Sequence, residues 1–313
     1  MDSYERVIET KDLTKHYRRP FSSRVVRALH DLSLTVERGA AFGLLGPNGA
    51  GKTTFVKLLL SASRPTAGSA RIFGRDCGEP QAREQVGYLP ENHRFAPYQT
   101  GRQMLDFYAA LSGMTYRERK RRAGELLDAV GLNEWGDQKL GKYSKGMLQR
   151  LGLAQAIMHR PKLLILDEPS DGVDPVGRRQ IRDILQRLRN EGATIFLNSH
   201  LLAEVETLCD QVAIIRRGEL AASGHISALT TGSGYRLAVG ALSAALADRL
   251  KQTAADSYTK DDRVHFHFHD LEAVNRAVDL LRRENVFVEE IQRMRSTLED
   301  VFMRTVEGAG EDA

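Results

Sequence analysis

The sequence predicts an α/β fold: a mostly parallel sheet covered by helices on both faces, followed by a smaller α+β domain. Three observations lead there. A short apolar strand at 41–45 runs into a glycine-rich turn and then a helical pattern over 52–61. The run Leu163-Leu164-Ile165-Leu166 lacks any polar alternation, as a strand buried on both faces requires. Strand and helix then alternate, with a helix over 176–190, a strand over 194–197, a helix over 201–208 and a strand over 211–216.

The remaining elements fit around that frame. Short β-branched stretches at 6–9 and 25–36, broken by polar turns, read as strands, as do 70–73 and 86–89. From 100 to 160 three helical stretches follow one another, 103–111, 115–130 and 144–159, with almost no strand signal, which reads as a helical insertion. The small residues at 230–234 form a linker. Beyond it come a strand (235–239), a helix (242–252), an alternating strand (264–268), a helix (271–283), a strand (285–291) and a short helix (298–304). These predict a small α+β domain of ferredoxin-like type, so the expected domains are 1–229 and 235–313.

Composition narrows the class. A chain of 313 residues, 42% hydrophobic and 27% charged, is neither disordered nor collagen-like. No run of about 18 apolar residues is present, so no membrane span is predicted, and the polar start of the chain predicts no secretory signal. Cys77 and Cys209 lie far apart without metal-ligand spacing and are expected to be reduced packing residues. The net charge of +4 is unevenly placed. Residues 1–234 hold 34 basic and 26 acidic side chains; residues 235–313 hold 11 and 15. A basic front suits a polyanion, whether nucleotide, nucleic acid or anionic membrane, and the sign alone does not choose.

The motifs choose. Gly46-Pro47-Asn48-Gly49-Ala50-Gly51-Lys52-Thr53-Thr54 fits GxxxxGK[ST] between a strand and a helix. Glycines let successive backbone N–H groups converge on phosphate, and the helix that follows points its positive end at it. Lys52 is placed to contact the terminal phosphates, and Thr53 to offer a hydroxyl to Mg²⁺. The apolar run at 163–166 delivers Asp167 and Glu168 at its carboxyl end, where α/β sheets hold ligands. Asp167 suits Mg²⁺, and Glu168 suits polarising an attacking water. Ser144, in Tyr143-Ser144-Lys145-Gly146-Met147, can cap a helix whose remaining N–H groups face outward.

Taken together, residues 7–224 resemble the ATP-binding cassette (ABC) ATPases. The segment at 143–150 is similar to that family's signature sequence, keeping Ser144 and Gly146 but carrying Lys145 and Met147 where the pattern has Gly and Gln. The resemblance implies a P-loop NTPase sheet core with an antiparallel β-subdomain and a helical insertion, with ATP and Mg²⁺ as cofactors. It implies that Gly46, Asn48, Gly49, Gly51, Lys52, Thr53 and Thr54 bind nucleotide, and that Tyr17 stacks on adenine. It also implies that Asp174 is the D-loop carboxylate, that His200 contacts the γ-phosphate, and that Glu168 and His200 are catalytic. Glu91 stands where the family usually has Gln and, with Thr53 and Asp167, would be a metal ligand. Ser296-Thr297-Leu298-Glu299-Asp300-Val301-Phe302 is similar to a carboxyl-terminal stretch of ABC-2-type exporter ATPases. Members of that group pair as dimers, homodimeric or with a second ATPase, on the cytoplasmic face of the membrane beside a separate polytopic permease. ATP lies between one protomer's glycine loop and the other's signature helix. No nucleic acid partner is expected. The alternative, an ABC ATPase working on ribosome or DNA, usually has two cassettes or a long coiled-coil insertion, and this chain has neither.

Two further clusters stand out along the chain. His265, His267 and His269 alternate along one strand, which suits a half-exposed face with Phe inward better than a metal site. The basic run at 117–122 reads as a solvated helix face first, with contact to lipid head groups or a membrane subunit as the alternative.

Overall fold

In the computed structural model, which describes residues 5–18, 25–231, 234–260, 262–294 and 296–307, the apolar runs become the middle of a sheet. The chain opens with β1 (Arg6–Arg18), β2 (Val25–Glu37), β3 (Ala41–Leu45), α1 (Lys52–Leu59), β4 (Ala67–Ile72), β5 (Arg75–Asp76), α2 (Pro80–Arg83) and β6 (Val86–Leu89). The insertion supplies α3 (Gly101–Leu111), α4 (Tyr116–Ala129) and α5 (Lys145–Ala156). Alternation resumes with β7 (Leu163–Asp167), α6 (Pro175–Asn190), β8 (Thr194–Asn198), α7 (Leu202–Leu208), β9 (Gln211–Arg216), β10 (Glu219–His225) and α8 (Ile226–Leu229). Last come β11 (Tyr235–Val239), α9 (Ala244–Lys251), β12 (Asp256–Lys260), β13 (Arg263–Phe268), α10 (Leu271–Arg283), β14 (Val288–Arg293) and α11 (Leu298–Glu307).

The main sheet runs β10-β9-β3-β8-β7-β6; every pairing is parallel except that of the edge strand β10. A second sheet, β2-β1-β4-β5, is antiparallel throughout. The class is α/β. All five residues of β3, β7 and β8 are buried. Fully burying a Leu or Ile side chain is worth about 1.5–3 kcal/mol. Leu163 to Leu166 therefore anchor β7 firmly and fix the position of the carboxylate at its tip. Phe196 of β8 stacks between Phe42 and Phe55, each ring 5.8 Å away, which locks β3 and α1 onto the same core.

Local signals set the helices of the insertion. Thr100 with Gln103, and Thr115 with Glu118, form capping boxes at the starts of α3 and α4. On α4, Arg117, Lys120 and Arg121 are exposed, as a solvated face requires, but Arg122 turns inward. Its guanidinium donates to the carbonyls of Ile157 (2.9 Å) and Met158 (3.1 Å), just past the end of α5. Two strands, β10 and β12, carry little strand signal in the sequence. Their Ala, Ser, Gly, Asp and Lys residues are weak strand formers, and pairing with β9 and β13 overrides that preference.

The chain divides into two compact units. One takes in the chain up to Ile226 and resumes at Phe302; the other is Ser227–Val301. The sequence predicts a second domain over 235–313; by compactness Phe302 groups with the first unit. The second unit's sheet is antiparallel in the order β12-β13-β11-β14, the ferredoxin-like arrangement, with Phe266, Phe268, Val274 and Leu281 in its core. His265 is buried on the opposite face, its ring stacked 4.8 Å from that of Tyr258, and His267 meets the same tyrosine edge-on. Among the described residues, no group of His, Cys, Asp and Glu is arranged to hold a metal ion, and no helix is long and apolar enough to cross a membrane. Both cysteines are buried and free, and burial pushes the Cys77 thiol up to about 12.

Candidate functional site

Three neighbouring strands, β3, β8 and β7, end side by side, and the loops leaving them enclose a cavity of roughly 650 Å³. That is within the range of small-molecule sites. Residues 45–54 form one wall; Glu91, Asp167, Glu168, Asn198, Ser199 and His200 form another. The glycine loop owes its path to two tight approaches. A Cβ on Gly51, whose φ is +112°, would collide with the Ala28 carbonyl oxygen, and one on Gly46 would collide with that of Ile215. Gly51 also begins α1 without any side-chain cap, which leaves the first N–H groups of the helix available to an anion.

Lys52 is buried and donates to the carbonyls of Gly46 (2.6 Å) and Pro47 (3.3 Å). Burial pulls its ammonium below the ordinary value, while Glu168, Asp167 and Glu91 pull it back up. Asp167 ends β7, and its carboxylate accepts a hydrogen bond from the Asn198 amide at the tip of β8. Burial pushes the Asp167 carboxyl above the usual range against that bond. Glu168 turns out of the strand with φ +51°, a conformation rare for a non-glycine residue, and its N–H is held by the Asn198 carbonyl at 2.8 Å. Its Oε2 lies 2.7 Å from His200 Nδ1 and accepts from the His200 backbone N–H at 3.3 Å. Burial pushes the Glu168 carboxyl up as well, with His200 opposing.

The ABC transporter family model matches residues 29–171. The chain is 40% identical over 309 residues to the ABC transporter ATP-binding protein sll0415 of Synechocystis sp., covering 97% of this chain and 86% of that one. The chain belongs to the ABC transporter ATP-binding proteins. It is also 34% identical over 314 residues to the bacitracin transport ATP-binding protein BcrA of Enterococcus faecalis, covering 98% of both chains. A solved structure of an ATP-binding subunit of an ABC transporter superimposes with a TM-score of 0.63 at 30% identity, covering 71% of this chain and 91% of that one. This chain is thus an ABC ATPase, an ATP-binding subunit of a transporter.

Within this ABC fold the sequence-derived residues fall into two groups. Gly46, Asn48, Gly49, Gly51, Lys52, Thr53, Thr54, Glu91, Asp167, Glu168 and His200 all line the cavity. Tyr17, Ser144, Gly146 and Asp174 do not. Tyr17 is partly exposed on β1 with Lys15 Nζ 4.9 Å from its ring, although Val26, its partner on β2, reaches the cavity wall. Ser144 caps α5, its Oγ accepting from the Met147 N–H at 3.2 Å. Asp174 caps α6 in the same way through the Gly177 N–H at 2.9 Å. Lys145, at the departure from the signature pattern, pairs with Asp171 at 2.8 Å.

Sequence reading missed Asn198, Asp171, Leu202, Phe302 and the β2 segment Val26, Arg27 and Ala28. Asn198 carried a usable signal, as a polar residue ending an apolar strand one position before Ser199-His200. The β2 residues had none, because nothing in the sequence sets β2 beside the glycine loop.

Proposed function

We propose that this chain binds and hydrolyses ATP to power an ABC-2-type exporter, through ATP-driven closure and reopening of a dimer. The observation that carries the reading is a separation. The amino end of α1 opens into the cavity, whereas that of α5, capped by Ser144, lies outside it. Both ends are suited to an anion. ATP held by the glycine loop of one protomer then meets Ser144 and Gly146 of a second, and contacts present only in the closed dimer let ATP drive closure.

The residues support distinct roles. Lys52 and the α1 N–H groups bind the phosphates. Glu168, oriented by His200, accepts a hydrogen bond from the water that attacks the γ-phosphorus, and ADP and phosphate result. Thr53, Asp167 and Glu91 offer a hydroxyl and two carboxylates, a set that fits Mg²⁺, which needs only one or two carboxylates alongside substrate phosphate oxygens. Bound there, Mg²⁺ would neutralise phosphate charge. Loss of phosphate reopens the dimer. The full-length similarity to a bacitracin transport ATP-binding protein supports export, a permease partner and a peripheral place on the cytoplasmic face of the membrane.

The test is an affinity pull-down of the tagged chain from detergent-solubilised membranes. The expected result is a multi-span membrane protein in stoichiometric yield. Ribosomal or DNA-repair proteins without a membrane protein would refute the transport reading.

A further inference from the structure

The cavity has one wall from the far end of the chain. Phe302, on α11, lines it together with Val26, Ala28, Leu45 and Leu202, and it is the only phenyl ring among the described lining residues. The glycine loop and the carboxylates account for the phosphate end of a bound nucleotide. A nucleobase and ribose need apolar and aromatic surface, and outside residues 46–54 these five supply it among the described lining residues. Tyr17 lies outside that lining.

The last turn of α11 is tied to the loop that braces the phosphate site. Arg216, closing β9, donates from Nη1 to the carbonyls of Thr305 (3.2 Å) and Val306 (3.4 Å). A cation on the final carbonyls of a helix also complements its dipole. Two residues on, Gly218 donates to the Ala50 carbonyl of the glycine loop and accepts from the His30 N–H, both at 2.9 Å. The β9–β10 turn and the residue before it thus hold the last turn of α11, the glycine loop and β2 in one arrangement, and Phe302, Ala28 and Val26 line the same cavity.

We infer that Phe302 is a nucleotide-binding residue, packing its ring against the base–ribose portion of ATP. This rests on the nucleotide reading above and extends it to the carboxyl-terminal helix.

The experiment is calorimetric titration of the full chain with ATP and, separately, with inorganic tripolyphosphate, which has the phosphates but no base or ribose. For Phe302→Ala, ATP affinity is expected to fall roughly tenfold, as loss of one base–aromatic contact does, with tripolyphosphate affinity unchanged. Phe302→Leu, which keeps apolar volume without the flat ring, should show a smaller loss, again for ATP only; it serves if the alanine variant fails to fold. Equal ATP affinity in wild type and both folded variants, or an equal loss for both ligands, overturns the inference while leaving the nucleotide reading intact. A loss of ATP affinity in Tyr17→Ala with none in Phe302→Ala also overturns it. A wild-type chain that binds no ATP overturns both.

Discussion

Glu168 and His200 pair at the end of β7, Oε2 to Nδ1 at 2.7 Å, with the histidine backbone N–H on the same oxygen. Glu168 sits in a left-handed conformation at the end of β7, so the pair holds a strained residue in one orientation. The imidazole side chain is about half exposed and that of Glu168 nearly buried, so the histidine can reach substrate while fixing the carboxylate.

Removing the carboxylate charge should separate binding from turnover. Glu168→Gln keeps the shape and an acceptor for His200 but cannot take a proton from water. ATP hydrolysis should fall by about 10²–10⁴, the usual contribution of a positioned base, with ATP affinity nearly unchanged by titration. Near wild-type turnover would remove Glu168 from the base role. In the wild type, burial raises the Glu168 carboxyl, so the acid limb of the rate profile should lie above the ordinary carboxylate range. His200→Ala removes the group that opposes this rise, and the limb should move to still higher pH.

The same substitution should stabilise the empty protein. A carboxyl raised on folding adds stability that is complete at pH below its unfolded value and is lost as pH rises through its folded value. At neutral pH the buried Glu168 charge therefore weighs against the fold. Glu168→Gln is expected to raise the melting temperature at pH 7, and the gain should shrink as pH falls into the carboxylate range. A gain that grew on acidification would contradict the direction of the shift.

Lys52 tests the phosphate end alone. Its ammonium bonds the loop's own carbonyls at Gly46 and Pro47, a position from which it can transfer to phosphate oxygens. A hydrogen bond to a charged group is worth about 1.5–3 kcal/mol. Lys52→Ala should therefore weaken ATP binding by roughly 10–100-fold in titration, and tripolyphosphate binding by a similar factor. Unchanged affinity for both would exclude Lys52 from the phosphate site.

How much of this was legible in the sequence depends on whether a residue works through its chain neighbours. The glycine loop and the Asp167–Glu168 pair were readable because a strand, a turn and a helix place them locally, and the strand's apolar run marks its own burial. The alternation of strand and helix made the parallel sheet readable in the same way. The bond from Asn198 to Asp167, the contact of Arg122 with the end of α5 and Phe302 in the cavity wall were not readable, although Asn198 itself stood out as a polar residue ending an apolar strand. Each acts across 31 or more residues of chain, through contacts that only the assembled sheet creates. The β10 and β12 strands were missed for a related reason, since their partners and not their own residues make them strands.

Two roles meet on the Ser144 hydroxyl. Within its own chain it is a helix cap, and Ser144→Ala should cost about 1 kcal/mol, a fall of about 2–4 °C in melting temperature. In the dimer it would face the partner's nucleotide, where bulk matters more than capping. Ser144→Arg also lacks the cap, so its monomer should melt near the alanine variant, but its long side chain would occupy the space the partner's ATP needs. In a Glu168→Gln background, where slow hydrolysis preserves the closed state, light scattering with ATP should report dimers for the parent, fewer for the alanine variant and only monomers for the arginine variant. ATP binding to the monomer should survive in all three, since Ser144 lies outside the cavity of its own chain. Dimers of the arginine variant at the parent's ATP dependence would mean that α5 meets no partner nucleotide, and the sandwich would have to be abandoned while the hydrolytic site stood.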